Sequence, residues 1–297
     1  MERVRVHVRL RPATRIEASD PQYGKFLKVD ERSHEIIART EATNWCFRFD
    51  TVFGERSTQD EVYLRTTKGV VDSVLKGFNG CVMCYGQTGT GKTHTMSGKI
   101  ITENGHHESQ KGIIPASLAH IFDEIHPTHS VVLSYVQLYR DHIQDLLTGS
   151  LQVVQLREDA RLGIYLSGVR ECVMETAEES LSLLKYADKY RRSFASTAMN
   201  KMSSRAHTIL MINVFQKDSP DNRLVSAGTL TLAPYPNSYY RKLWMVPSSP
   251  ASSFLSISPD PSVRRSPTSL EPAWKKLDRS TPPSRLSVIA SQPCRPA

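Results

Sequence analysis

From Val4 to Leu10 the chain alternates apolar and basic or imidazole side chains (Val-Arg-Val-His-Val-Arg-Leu), a period of two that predicts a strand with one apolar face. Arg11-Pro12 ends it. The same period returns over Phe47 to Phe53. Between Gln59 and Gly77 the apolar positions Val62, Val70, Val74 and Leu75 move to helical spacing, and Gly77 stops the helix. Gly80 to Tyr85 is an apolar run predicted as the third strand. A polar stretch, Thr102 to Lys111, reads as a surface loop, followed by a helix over Ala116 to Ile125 and a buried strand over Val131 to Tyr139. Ile143, Leu146 and Leu147 predict a short amphipathic helix, and Glu178 to Tyr190 a longer one with Leu181, Leu184, Tyr186 and Ala187 inward. Strands are expected again over His207 to Phe215 and Leu224 to Leu232. Helices and strands that alternate in this way imply an α/β sheet with helices on both faces.

Composition divides the chain at that last strand. All fifteen glycines lie at or before Gly228, whereas twelve of the seventeen prolines lie from Pro234 onward. Residues 1–232 therefore form the folded unit, and 233–297 read as a Pro/Ser-rich basic tail expected to be disordered. Of the formal charge of +8, the tail carries nine Lys/Arg against three Asp/Glu, so the basic balance belongs mainly to it and a nucleic-acid surface is not expected. Five cysteines at 46, 81, 84, 172 and 294 have no framework spacing, which fits a reducing, cytoplasmic compartment. Cys81 and Cys84 point to opposite faces of a strand and read as small buried residues, without a metal site. With no signal-like h-region and no membrane-length apolar run, a soluble protein is expected.

The chemistry sits where the third strand ends. Gly86-Gln87-Thr88-Gly89-Thr90-Gly91-Lys92-Thr93 obeys G-x-x-x-x-G-K-[ST] in a strand-loop-helix setting. The glycines let successive backbone N–H groups curl around phosphate oxygens, Lys92 neutralises β/γ-phosphate charge, and Thr93 holds Mg²⁺. A Gly/Thr turn that matches by chance is the bland alternative.

Six ordered segments narrow this nucleotide site. Arg9-Leu10-Arg11-Pro12, Phe49-Asp50-Thr51-Val52-Phe53, Gly77-Phe78-Asn79-Gly80, Gly86 to Met96, Gly112-Ile113-Ile114-Pro115 and Asn200-Lys201-Met202-Ser203-Ser204-Arg205 together closely resemble the kinesin motor domain. Met83 to Gly89 is also similar to the cilium-associated kinesin-9 branch. The resemblance implies the kinesin P-loop NTPase fold, ATP and Mg²⁺ as ligands, microtubules (tubulin) as partner, and a place on the cytoskeleton, including the cilium. It implies that Arg9, Arg11, Pro12 and His94 flank adenine. Asn200, Ser203 and Ser204 match switch I, which meets the γ-phosphate, Mg²⁺ and attacking water. Arg205 matches the arginine that pairs with a switch II glutamate. Taken alone, Arg11-Pro12 would be an ordinary strand end and Ser203-Ser204-Arg205 a polar turn. Ala206 departs from the usual serine.

The larger departure comes after Leu232. Where the family continues Asp-Leu-Ala-Gly-Ser-Glu, this chain reads Ala233-Pro234-Tyr235-Pro236-Asn237. No counterpart is left for the Asp supporting Mg²⁺, the Gly sensing γ-phosphate or the Glu pairing with Arg205. The resemblance further implies that a central strand beside the P-loop strand is missing, which leaves an incomplete mixed sheet of low stability. Of the track surface only Leu156 to Glu171 remains, with Arg161 and Arg170 as basic positions. The expectation is a kinesin-like ATPase impaired in hydrolysis, with a non-motor nucleotide- or microtubule-binding fragment as the alternative. Ser258-Pro259, Ser266-Pro267 and Thr281-Pro282 are possible phosphorylation sites or plain linker.

Overall fold

The computed structural model describes residues 4–20, 27–39, 44–98, 110–139, 142–148, 153–159, 163–192, 207–217, 224–235 and 286–293. In chain order the elements are β1 (Arg5–Leu10), α1 (Arg15–Ala18), β2 (Leu27–Asp30), β3 (Glu35–Arg39), β4 (Asn44–Arg48), β5 (Thr51–Phe53), α2 (Gln59–Thr66), α3 (Lys68–Leu75), β6 (Gly80–Tyr85), α4 (Lys92–Ser97) and α5 (Ile113–Glu124). Then come β7 (His129–Tyr139), β8 (His142–Asp145), β9 (Val153–Asp159), β10 (Gly163–Ser167), β11 (Cys172–Met174), α6 (Ala177–Tyr186), β12 (His207–Lys217), β13 (Leu224–Tyr235) and β14 (Leu286–Pro293). One wider turn of π-helix, Ala187–Arg192, extends α6.

Among the described residues eleven strands build one mixed sheet in the order β10-β9-β8-β7-β12-β13-β6-β14-β1-β5, with β11 also paired to β7. β6 runs parallel to β13, and β1 parallel to β5. One face carries the main core: Val82 and Cys84 of β6, Leu133, Ile212, Leu230, Leu232 and Ile289 are all buried there. Val62 of α2, Val70, Val71 and Val74 of α3, Met96 of α4, Leu118 and Ile121 of α5 and Leu184 of α6 close over it. On the opposite face, Val8 and Val52 pack with Ile36 of the three-stranded sheet β2-β3-β4. Alternation along β5, β7 and β12 thus feeds packed clusters on both faces of the sheet instead of one core and one wet surface.

Several expected elements are cut differently, each for a local reason. The helix from Gln59 breaks at Thr67, where the Thr66 hydroxyl donates back to the Val62 carbonyl at 2.7 Å, a bond that bends helices. The strand over Phe47 to Phe53 divides between two sheets. Phe49 N–H reaches the His34 carbonyl at 3.0 Å, while Asp50 N–H donates to the Val6 carbonyl at 2.9 Å and Asp50 Oδ2 accepts from Val6 N–H at 2.8 Å. The short helix expected at Ile143 to Leu147 is instead β8, antiparallel to β7. Asp145 stops it by accepting from the N–H groups of Leu147 at 2.6 Å, Thr148 at 3.3 Å and Arg170 at 2.5 Å, which holds a turn where a helix would need those donors.

Two findings alter the picture of the tail. β13 continues through Ala233, Pro234 and Tyr235, which pair with Met83, Cys84 and Tyr85. β14, inside the stretch expected to be unstructured, lies antiparallel to both β1 and β6 and fills the position beside the P-loop strand that the resemblance leaves vacant. Residues 236–285 lie outside the described residues. Among the described residues no helix is long and apolar enough to cross a membrane.

Candidate nucleotide site

β6 delivers the loop and its burial fixes the delivery. Val82 and Cys84 are fully buried on the helical face, so Tyr85 and Gly86 emerge from the sheet in one place. Gly89 (φ 87°) and Gly91 (φ 94°) take left-handed conformations. A Cβ at Gly89 would meet no neighbour, and one at Gly91 would only touch Arg11 at 3.9 Å, so backbone conformation and not crowding calls for glycine there. Thr90 is buried and donates its hydroxyl to the Gln87 carbonyl at 2.9 Å, which holds the turn between the two glycines. Gly91 then starts α4, only six residues long.

Lys92 folds over the loop. Its Nζ donates to the carbonyls of Gly86 at 2.6 Å and Gln87 at 2.7 Å. Burial pulls its pKa below the ordinary lysine value, while the ammonium remains the charge the loop encloses. Gln87, Thr88, Gly89, Thr93 and His94 are exposed around it. An ammonium satisfied by two neutral carbonyls, beside a left-handed glycine turn and an exposed threonine hydroxyl, is a donor set suited to a polyphosphate and a divalent cation. Cys84, beneath the loop, has its thiol pushed up to about 12 by burial, with the Lys92 and Arg9 charges opposing. It is a buried packing group, whereas Cys81, expected to be buried with it, is only half-buried. None of the described cysteines is in a disulfide, and no metal-holding cluster of His, Cys, Asp and Glu occurs among the described residues.

The two arginines named with adenine occupy different settings. Arg9 is only 8% exposed. Its guanidinium donates to Gln59 Oε1 at 2.5 Å, Thr95 Oγ1 at 3.1 Å and the Ser57 carbonyl at 3.3 Å. Gln59 in turn donates to the His94 carbonyl at 2.6 Å. Arg9 thereby clasps β1, the start of α2 and α4 from inside, with its donors committed to protein. Arg11 stands at the loop itself. Its Nε donates to the Gly89 carbonyl at 2.8 Å, and its two terminal nitrogens grip Glu17 at 2.6 and 2.7 Å. That grip holds the Glu17 carboxyl down at about 2, with help from Thr14 N–H. Glu17 and Thr14 form a capping box that starts α1, so α1, Arg11 and the P-loop make one unit with exposed Pro12 on its rim.

Asn200, Ser203, Ser204 and Arg205 lie outside the described residues, as does Arg161, while Arg170 is exposed. Gln59, Thr95 and Glu17 were not singled out from the sequence. Only Glu17 had a readable signal, the Thr14-x-x-Glu17 box. At the end of β13, next to the loop, the chain presents Ala233, Pro234 and Tyr235.

Comparison with known proteins follows the same boundary. The family model described as the kinesin motor domain matches residues 9–233, so the match stops where the sequence departs. Human kinesin-like protein KIF27 is 38% identical over 219 residues, covering 72% of this chain and 15% of that protein. The kinesin heavy chain of Syncephalastrum racemosum is 33% identical over 234 residues, covering 77% of this chain and 24% of that protein. This chain therefore spans less than a quarter of the length of either of these two relatives. A solved structure of a fast kinesin superposes with a TM-score of 0.67 at 26% identity, covering 81% of this chain and 67% of that one.

Proposed function

Since the chain belongs to the kinesin motor-domain family, we propose that it binds ATP with Mg²⁺ at Gly86–Thr93 and derives from a microtubule-based motor of the cytoskeleton. The observation that carries this is the loop: Lys92 on the Gly86 and Gln87 carbonyls, with left-handed Gly89 and Gly91. The loop N–H groups hold the phosphates. Lys92 would exchange its carbonyl partners for β/γ-phosphate oxygens, and Thr93 and Ser204 would hold Mg²⁺, which would neutralise phosphate charge. Pro12 and His94 flank the base, with Arg11 bracing the rim and Arg9 supporting from beneath. Asn200, Ser203 and Arg205 stand on the γ-phosphate side.

Hydrolysis would be in-line attack of water on the γ-phosphate. After Leu232, where the resemblance implies an acid to support Mg²⁺ and a glutamate to pair with Arg205, the chain reads Ala233-Pro234-Tyr235-Pro236-Asn237 and offers neither. Turnover is accordingly weak or nil while nucleotide binding persists. The test is titration with a fluorescent ATP analogue, together with microtubule-stimulated phosphate release, on the whole chain and on Lys92→Ala. Binding should fall at least tenfold in the variant, with little turnover in either. Robust microtubule-stimulated turnover abolished by Lys92→Ala would sink the impairment.

A second reading, a non-motor nucleotide- or microtubule-binding fragment, is favoured by the family match ending at residue 233. Sedimentation with microtubules separates the two. A motor's affinity follows ATP, whereas attachment through the basic tail follows salt.

A further inference from the structure

β14 begins beside the point where the nucleotide loop begins. Val288 pairs with Tyr85, the residue before Gly86, and Leu286 pairs with Leu10, the residue before Arg11. The strand therefore joins the two strand ends that carry the P-loop and its Arg11 brace, and its register sets the space between them. Ser287, at 1% exposure, lies with its hydroxyl 3.5 Å from the Arg9 carbonyl and beside the Cys84 thiol. Ile289, fully buried, sits opposite both Cys84 and His7 and enters the core with Val70 and Val74.

The direction of insertion has a physical reason. β13 runs parallel to β6, so Tyr235 leaves the sheet at the P-loop end. β14 is antiparallel to β6, so Leu286 enters at that same end. The connection between them thus starts and finishes on one side of the sheet. A parallel β14 would have to be reached by crossing its whole height. Within the strand Ser287, Ile289 and Ser291 are all buried, and small or apolar groups at these positions are what a covered face demands. Pro293, which lacks an N–H, comes last, opposite Gly80.

We infer that Leu286–Pro293 is a surrogate central strand, supplied by the divergent tail antiparallel to β6 and β1, and that it positions the P-loop against the Arg11 wall. That the pocket so positioned takes nucleotide rests on the reading above, but the strand is tested without nucleotide.

Register gives a direct assay, because Gln292 stands opposite Cys81. Mild oxidation of full-length Gln292→Cys should yield an intrachain disulfide between Cys81 and the thiol introduced at 292, mapped by mass spectrometry and absent when Cys81→Ser is added. No cross-link, or cross-linking only between chains, would overturn the inference. The unaltered chain supplies a second readout by hydrogen exchange: amides of 286–292 should be protected as strongly as those of β6. Exchange there at the rate of an unstructured peptide would also overturn it. For the positioning role, Ala290→Pro should speed exchange across Val82–Lys92 at least tenfold and leave Ile209–Phe215 of β12 unchanged. Equal loss on both segments, or none on either, would refute a local role. Failure of nucleotide binding with the cross-link and protection intact would count against the nucleotide reading alone.

Discussion

The P-loop strand has two neighbours of different origin. On one flank β13, the last strand within the family match, runs parallel to β6 and buries Leu230 and Leu232 completely. On the other flank β14, from the Pro/Ser-rich tail, runs antiparallel and buries Ile289 completely. All three apolar side chains enter the same core as α3. The difference teaches that a central slot selects for two things: backbone groups able to pair on both edges, and side chains that tolerate burial on both faces. Direction changes the slant and spacing of the bonds, not the demand for them.

The sharpest way to break this equivalence is to remove the same amount of core from each flank. Leu230→Ala and Ile289→Ala should each cost about 2–5 kcal/mol, the range for large-to-small changes at fully buried sites. Urea unfolding of the two variants beside the parent measures both. If Leu230→Ala costs the full amount and Ile289→Ala less than about 1 kcal/mol, β14 is a loose cover and the flanks are not equivalent.

Acid should separate the flanks next. His7, on β1 opposite Ile289, is 2% exposed, and burial lowers its pKa from 6.5 to about 4. Asp50 pulls the value up, while Arg5, Arg65 and His34 push it down. Its folded pKa lies below the unfolded one, so between these values the unfolded chain binds more protons. Stability contributed by neutral His7 is complete above about pH 6.5 and drains away as pH falls toward 4, by about 3 kcal/mol at 1.36 kcal/mol per unit. The buried polar pair on the β13 flank, Thr229 and Asn213, does not titrate. Unfolding followed across pH 4–7 should therefore show a loss that His7→Gln flattens. A slope unchanged by that substitution would place the acid sensitivity elsewhere.

How much of this was legible depends on whether the deciding contact was local. The P-loop, β6, β7, β12 and most of β13 announce themselves through short-range pattern, since loop chemistry and period-two burial are properties of adjacent residues. β1 shows where pattern fails. Its alternation of Val with Arg and His predicts one apolar face, yet His7 and Arg9 on the other face are buried as well. β14 flanks them in the sheet, and Arg9 is accommodated by Gln59 of α2 and Thr95 of α4, remote in sequence. β14 itself was illegible. Ser287, Ile289 and Ser291 alternate with Leu286, Val288 and Ala290, so neither face stands out within a Ser/Pro-rich tail, and only its partners identify it as a strand. Ile143, Leu146 and Leu147 fit helical spacing with three residues, too few to outweigh the ladder to β7 and the three backbone donors that Asp145 collects.

The smallest expected effect concerns how well each flank satisfies its polar groups. On the β13 side two contacts of Thr229 are close: its Oγ1 donates to Asn213 Oδ1 at 2.8 Å, and its N–H donates to Asn79 Oδ1 at 3.0 Å. On the β14 side they are long: Ser291 Oγ stands 3.4 Å from His7 Nε2, Ser287 Oγ 3.5 Å from the Arg9 carbonyl, and His7 Nδ1 has no hydrogen-bond partner. Truncation of Asn79 to Ala leaves the Thr229 N–H unpaired and should cost about 1–2 kcal/mol, whereas Ser291→Ala, which loses a bond near the distance limit, should cost about 0.5 kcal/mol or less. Measured side by side at pH 7, that ordering would mark β14 as matched to the slot by apolar burial and less finely by hydrogen bonds. The reverse ordering would mean that the tail strand's serines are as well fitted as the family strand's own polar groups. The contrast between the two flanks would then reduce to direction alone.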